Sequence, residues 1–142
     1  MTEPTADLGR FLTAQEPVYA SVLQELRAGR KRSHWMWFVF PQLADLGHSF
    51  MATHYGIKDL AHATAYLRHP VLGGRLEECT RIMNALEGLS AWDILGDPDE
   101  LKFRSSMTLF KHAGSTGGVF ALALGKYFAG EEDELTLARL GG

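Results

Sequence analysis

The chain predicts an all-α fold, a single compact domain of about seven or eight short helices. Three observations carry this. Apolar residues recur at spacings of three and four along most of the chain. Helix punctuation is dense, with Ser, Asp and Pro before the periodic stretches and Gly after them. One run with strand character, residues 35–40, finds no second run to pair with.

Residues 1–6 read as a flexible leader and residues 7–142 as the helical domain. Asp7 is placed to cap a short helix carrying Leu8, Phe11 and Leu12 on one face. Pro17 restarts the chain, and Tyr19, Val22, Leu23 and Leu26 follow as an amphipathic stripe that Gly29 stops. The aromatic run reads as a short helix or extended segment ending by Phe40, because a residue before proline avoids the helical region. Residues 49–55 form another short helix, closed by Gly56. Asp59 caps a helix with Leu60, Ala63 and Leu67 inward. Leu72, Leu76, Cys79, Met83 and Leu86 make a packing seam; Gly73 and Gly74 weaken its first turn or admit a close neighbouring backbone.

Ser90 and Asp93 have the spacing of a capping box over a single turn that ends at Gly96. In Asp97-Pro98-Asp99-Glu100 the chain offers a cap, a proline at the first position and an acid at the third for the next helix. Phe103, Met107 and Phe110 share its apolar face, and residues 112–118 form a loop. Val119, Phe120, Ala123 and Leu124 begin the most hydrophobic helix, ended by Gly130. Asp133 caps a last helix with Leu137 and Leu140 inward.

Composition bounds function. The 142 residues carry a net charge of −3, which argues against a dedicated nucleic-acid binder. The apolar runs at 35–40 and 119–124 are far short of the ~20 residues of a membrane span. No signal peptide is visible, and the single cysteine, Cys79, excludes an internal disulfide; a cytoplasmic setting is expected. Neither a cofactor nor a metal is expected. His48 and His54, like His62 and His69, lack helical ligand spacing, and Cys79 reads as a buried, inert thiol.

The densest chemistry lies in residues 30–42. Trp35 and Trp37 are either a stacking platform for a planar ligand or part of the core. His34 is a candidate general acid or base, or a local backbone bridge. Arg27, Arg30, Lys31 and Arg32 form an anion site or simply oppose the negative end of a helix dipole. A second block surrounds Lys102, Ser105 and Ser106, which share one helix face with the spacing i, i+3, i+4. With Arg104 nearby, that face could hold a phosphate or carboxylate. The alternative is that the hydroxyls bond back to carbonyls one turn earlier.

Two blocks are distinctive: Lys31, Ser33-His34-Trp35-Met36-Trp37-Phe38 and Phe40-Pro41-Gln42; and Asp99, Leu101-Lys102 and Ser105-Ser106-Met107-Thr108-Leu109-Phe110. With Tyr66-Leu67, Leu72-Gly73, Arg75-Leu76 and Thr136-Leu137, the chain resembles the bacterial family known as domain of unknown function 1810 from about Asp7 to Leu140. The resemblance implies a mostly helical, cytosolic protein and supplies no catalytic residue, substrate or cofactor. Some members carry the label calpastatin. Inhibitors of that kind act as long disordered chains, whereas 46% hydrophobic residues mark a globular one.

Two functions stay open. One is a pocket that binds, or acts on, a small anionic ligand such as a nucleotide. Lys31, Trp35, Trp37, Gln42, Lys102, Ser105 and Ser106 would bind it, and His34 would be catalytic. The other is a non-catalytic interaction module that meets an acidic protein partner through the basic and aromatic surface at 27–42. The first requires that two blocks about seventy residues apart line one hollow.

Overall fold

A computed structural model of the chain describes residues 8–114 and 118–141. The leader at 1–6, the Asp7 cap and residues 115–117 of the 112–118 loop lie outside the described residues. Within them run α1 (Gly9–Gln15), α2 (Tyr19–Arg27), α3 (Met36–Val39), a 3-10 turn (Ala44–Leu46), α4 (Phe50–His54), α5 (Leu60–Arg68), α6 (Leu72–Ala85), α7 (Ala91–Leu95), α8 (Asp99–His112), α9 (Val119–Phe128) and α10 (Glu134–Gly141). The fold is all-α. The helices number ten among the described residues rather than seven or eight. The extended backbone adds a single bridge, Leu43 to Ile57.

Local chemistry sets most boundaries. Ser49, Asp59 and Ser90 each accept a backbone N–H at their helix starts, and Ser90 and Asp93 complete the capping box. α2 ends in a Schellman motif: the N–H of Arg30 reaches the Glu25 carbonyl, and that of Gly29 reaches Leu26. Gly29 takes φ +75° there. The aromatic run forms one short helix, α3, and stops before Pro41.

Three local expectations are corrected. α8 begins at Asp99 with Pro98 as its capping residue, and no side chain caps it. α5 turns His62, Ala63 and Tyr66 inward and leaves Leu60 exposed. α10 buries Thr136 and leaves Leu137 exposed. In both helices the buried polar group makes a local hydrogen bond: His62 Nδ1 accepts from the Lys58 N–H, and Thr136 donates to Asp133.

α8 is the central helix, packed against α5, α7, α9 and α10, while α6 packs against α2, α5 and α9. An aromatic ladder ties the first third of the chain to α8. Trp35 meets Phe40 at 6.2 Å, and Phe40 meets Phe103 edge-on at 4.9 Å. Tyr66, Phe110 and Phe120 continue it two turns further along α8. Gly73 lets α6 close on α5: a Cβ there would stand 2.0 Å from the Leu67 carbonyl oxygen, whereas a Cβ on Gly74 would meet open space. Among the described residues no helix is long and apolar enough to cross a membrane.

Candidate functional site

The aromatic run divides by direction. Trp35 is 1% exposed, and Phe38 and Phe40 are buried with it, so these rings belong to the core. Trp37 is half-buried at the edge of that core. Trp35 therefore offers no face to a ligand in this structure. Its indole Nε1 instead donates to Glu25 at 2.8 Å.

Glu25 organises the loop between α2 and α3. Its carboxylate accepts the backbone N–H groups of Arg32 (2.8 Å) and Ser33 (3.1 Å), the Ser33 hydroxyl (2.6 Å) and the Trp35 indole. Burial pushes its pKa up. The hydrogen bonds from Ser33, Arg32 and Trp35 outweigh that and hold it at about 2. A further bond, from the Lys31 N–H to the Ile94 carbonyl at 2.7 Å, ties the loop to α7. The backbone that carries Lys31 is thus fixed from both sides.

From this loop Lys31 reaches the start of α8. Its Nζ lies 2.9 Å from one oxygen of Asp99, and Lys102 Nζ lies 3.1 Å from the other. Lys102 also stands 4.0 Å over the Trp37 ring, and Lys31 5.4 Å from the Trp35 ring. The side chains of Lys31, Asp99 and Lys102 are 10%, 17% and 20% exposed. The two distinctive blocks therefore meet in one half-buried cluster, in which two ammonium groups share one carboxylate. The neighbouring acids Asp97 and Glu100 face each other. Burial, with the hydrogen bond and charge of Asp97, pushes the Glu100 pKa up.

The other expected residues are placed differently. Ser105, Ser106 and Thr108 are buried, so the face of α8 opposite Phe103 and Met107 is not an open polar one. Ser105 and Thr108 donate back to the Leu101 and Arg104 carbonyls. The Ser106 hydroxyl has no partner among the described residues. These side chains fill core space and take no place at the lysine cluster. Arg104 is engaged with Glu131 and the Glu132 carbonyl. Gln42 is half-buried, and its backbone carbonyl receives the Ile57 N–H. His34 is exposed in the loop that Glu25 holds.

Sequence reasoning passed over three residues that matter here. Asp99 reads as a helix-start acid, and only its i, i+3 spacing to Lys102 hints at the pair. Glu25 carries no spacing signal at all. Trp92 sits between Ser90 and Asp93 of the capping box, and beside the buried Ala91, Ile94 and Leu95 the phase of the turn leaves it outward. Cys79 is buried, and burial first of all lifts its pKa to about 12, which suits an inert thiol. Among the described residues no group of three or more His, Cys, Asp or Glu is placed to hold a metal ion.

A family model described as protein of unknown function (DUF1810) matches residues 5–140. The chain belongs to that family. As a DUF1810 protein it is similar to a solved structure, the conserved hypothetical protein Rv1873 from Mycobacterium tuberculosis. The two share 55% identity over 96% of this chain and 97% of that one, with a TM-score of 0.94. No curated protein matches the chain. Neither description states a ligand or a reaction, so the DUF1810 site must be read from its own chemistry.

Proposed function

We propose that this DUF1810 protein binds a small anionic ligand through a phosphate or carboxylate group held by Lys31 and Lys102. The observation that carries the reading is the sharing of Asp99 by two half-buried lysines. Within the trio one carboxylate offsets one ammonium, and partial burial keeps the second ammonium from full hydration, with the acids Asp97 and Glu100 lying alongside. A phosphate oxygen accepting from both ammonium groups would complete the charge balance, with charge-assisted hydrogen bonds. Trp37 supports the arrangement by holding the Lys102 ammonium group over its ring. The cluster offers binding and orientation. His34 stands exposed in the adjoining loop, three residues from Lys31.

The test is thermal denaturation in inorganic phosphate, at constant ionic strength. Phosphate at ~100 times its dissociation constant should stabilise the protein by about 2.7 kcal/mol. Lys102→Met leaves Asp99 paired with Lys31 and keeps an apolar stem against Trp37. It should weaken phosphate roughly tenfold, since a charge-assisted hydrogen bond contributes ~1.5–3 kcal/mol. A flat response in both proteins contradicts the reading. It favours instead an interaction module around residues 27–42, detectable as binding of an acidic partner that reversal of charge at Arg30 and Lys31 abolishes.

A further inference from the structure

We infer that the ligand is a nucleoside monophosphate, or an aryl phosphate of like shape, whose flat ring stacks on Trp92. The inference rests on the anion-site reading above and adds the class of ligand. A groove of about 520 Å³ opens beside the Glu25-held loop, lined by Gly29, Arg30, Lys31, Leu89, Trp92 and Gly96 among others. That volume lies within the range of roughly 300–1,000 Å³ typical of small-molecule sites.

Lys31 belongs to both features: it lines the groove, and its ammonium group sits on Asp99. The groove and the anion cluster therefore share one residue, Lys31. Trp92 is 58% exposed although its helix is anchored by the buried Ala91, Ile94 and Leu95. Its indole plays no part in the core and stands free in a concave wall. Leu89 forms the apolar floor. Its Cδ1 would stand 2.8 Å from a Cβ on Gly29, so it packs against the end of α2, where φ +75° calls for glycine. Arg30, exposed on the same rim, adds a planar guanidinium that stacks on rings and pairs with phosphate. An exposed indole, an apolar floor and a guanidinium together suit a flat aromatic group attached to an anion. An aliphatic acid would leave the indole unused. A larger groove of about 710 Å³ along α9 presents no aromatic ring among its described residues.

The experiment is calorimetric titration of the full chain with AMP and with ribose 5-phosphate, in the wild type, Trp92→Ala, Trp92→Phe and Lys102→Met. The wild type should bind AMP roughly tenfold more tightly than ribose 5-phosphate, the size of effect expected for one stacked base. Trp92→Ala should make the two equal without changing ribose 5-phosphate. Trp92→Phe should restore most of the preference, and Lys102→Met should weaken both ligands together. Equal affinities in the wild type, both lowered by Lys102→Met, would overturn the stacking assignment and leave the anion site standing. A preference for AMP that survives Trp92→Ala would also overturn it. Binding of neither phosphate would remove the anion site and this inference with it.

Discussion

Gly73→Ala is expected to destabilise the protein by about 3 kcal/mol or more, which lowers the melting temperature by roughly 10 °C. The added methyl carbon would stand 2.0 Å from the Leu67 carbonyl oxygen and 2.8 Å from its carbonyl carbon. Both are backbone atoms near the end of α5, so no rotamer change relieves the clash. α5 and α6 would have to separate, and with them the buried contacts of Tyr66, Leu72 and Leu76. The neighbouring substitution supplies the control. Gly74 is in the same turn of α6, with open space where its Cβ would go, so Gly74→Ala should stabilise by about 0.5–1 kcal/mol through the lower helix propensity of glycine. Thermal denaturation of the two variants should therefore move the midpoint in opposite directions. A loss in both, or in neither, would contradict the close approach of α5 to α6.

Removal of the Glu25 carboxylate should be nearly as costly. Glu25→Ala strips the acceptor from two backbone N–H groups, one hydroxyl and the buried indole Nε1 of Trp35. A buried donor left without a partner costs ~1–3 kcal/mol, and the loop bonds add to that. The expected loss is about 2–4 kcal/mol. The effect also carries a pH signature. The folded pKa of about 2 lies below the ordinary 4.5, so ionised Glu25 contributes its full stability above pH 4.5. That contribution declines as pH falls from 4.5 towards 2. Urea denaturation of wild type and Glu25→Gln should show a stability difference that is constant from pH 5 to 7 and shrinks below 4.5. A difference that does not change with pH would mean that the Glu25 charge does not hold the loop.

The parts of the fold that were legible in the sequence are those decided locally. Ser49, Asp59 and Ser90 cap the helices they precede because a short polar side chain can reach the free N–H groups of the next turn. Gly29 ends α2 for an equally local reason. The phase of α5 and α10 was not legible. Leu60 and Leu137 are more apolar than His62 and Thr136, but the latter each make a hydrogen bond within about one turn, which lowers the cost of burying them. α8 misleads for the same reason. Lys102, Ser105 and Ser106 read as one polar face, yet the Ser105 hydroxyl bonds back to the helix, and both serines serve as small core residues under neighbouring helices.

The site was legible in outline only. That the aromatic block and the lysine–serine helix meet follows from the Trp35–Phe40–Phe103 ladder, which brings Lys31 and Lys102 onto Asp99. That Trp35 goes into the core depended on packing against Phe40 and on its hydrogen bond to Glu25, ten residues earlier, and no periodicity carries that information. Trp92 escaped notice because a tryptophan beside a capping box reads as packing. Only its neighbours' burial reveals that it points away from the core.

The most direct measurement follows the three indole N–H resonances by NMR while inorganic phosphate is added. Trp37, under the Lys102 ammonium group, should shift saturably, and Trp35, bonded to Glu25, should stay in place. The Trp37 shift should vanish in Lys102→Met. A Trp37 resonance unmoved by phosphate, or one that moves equally without Lys102, would contradict a shared anion site at the two lysines.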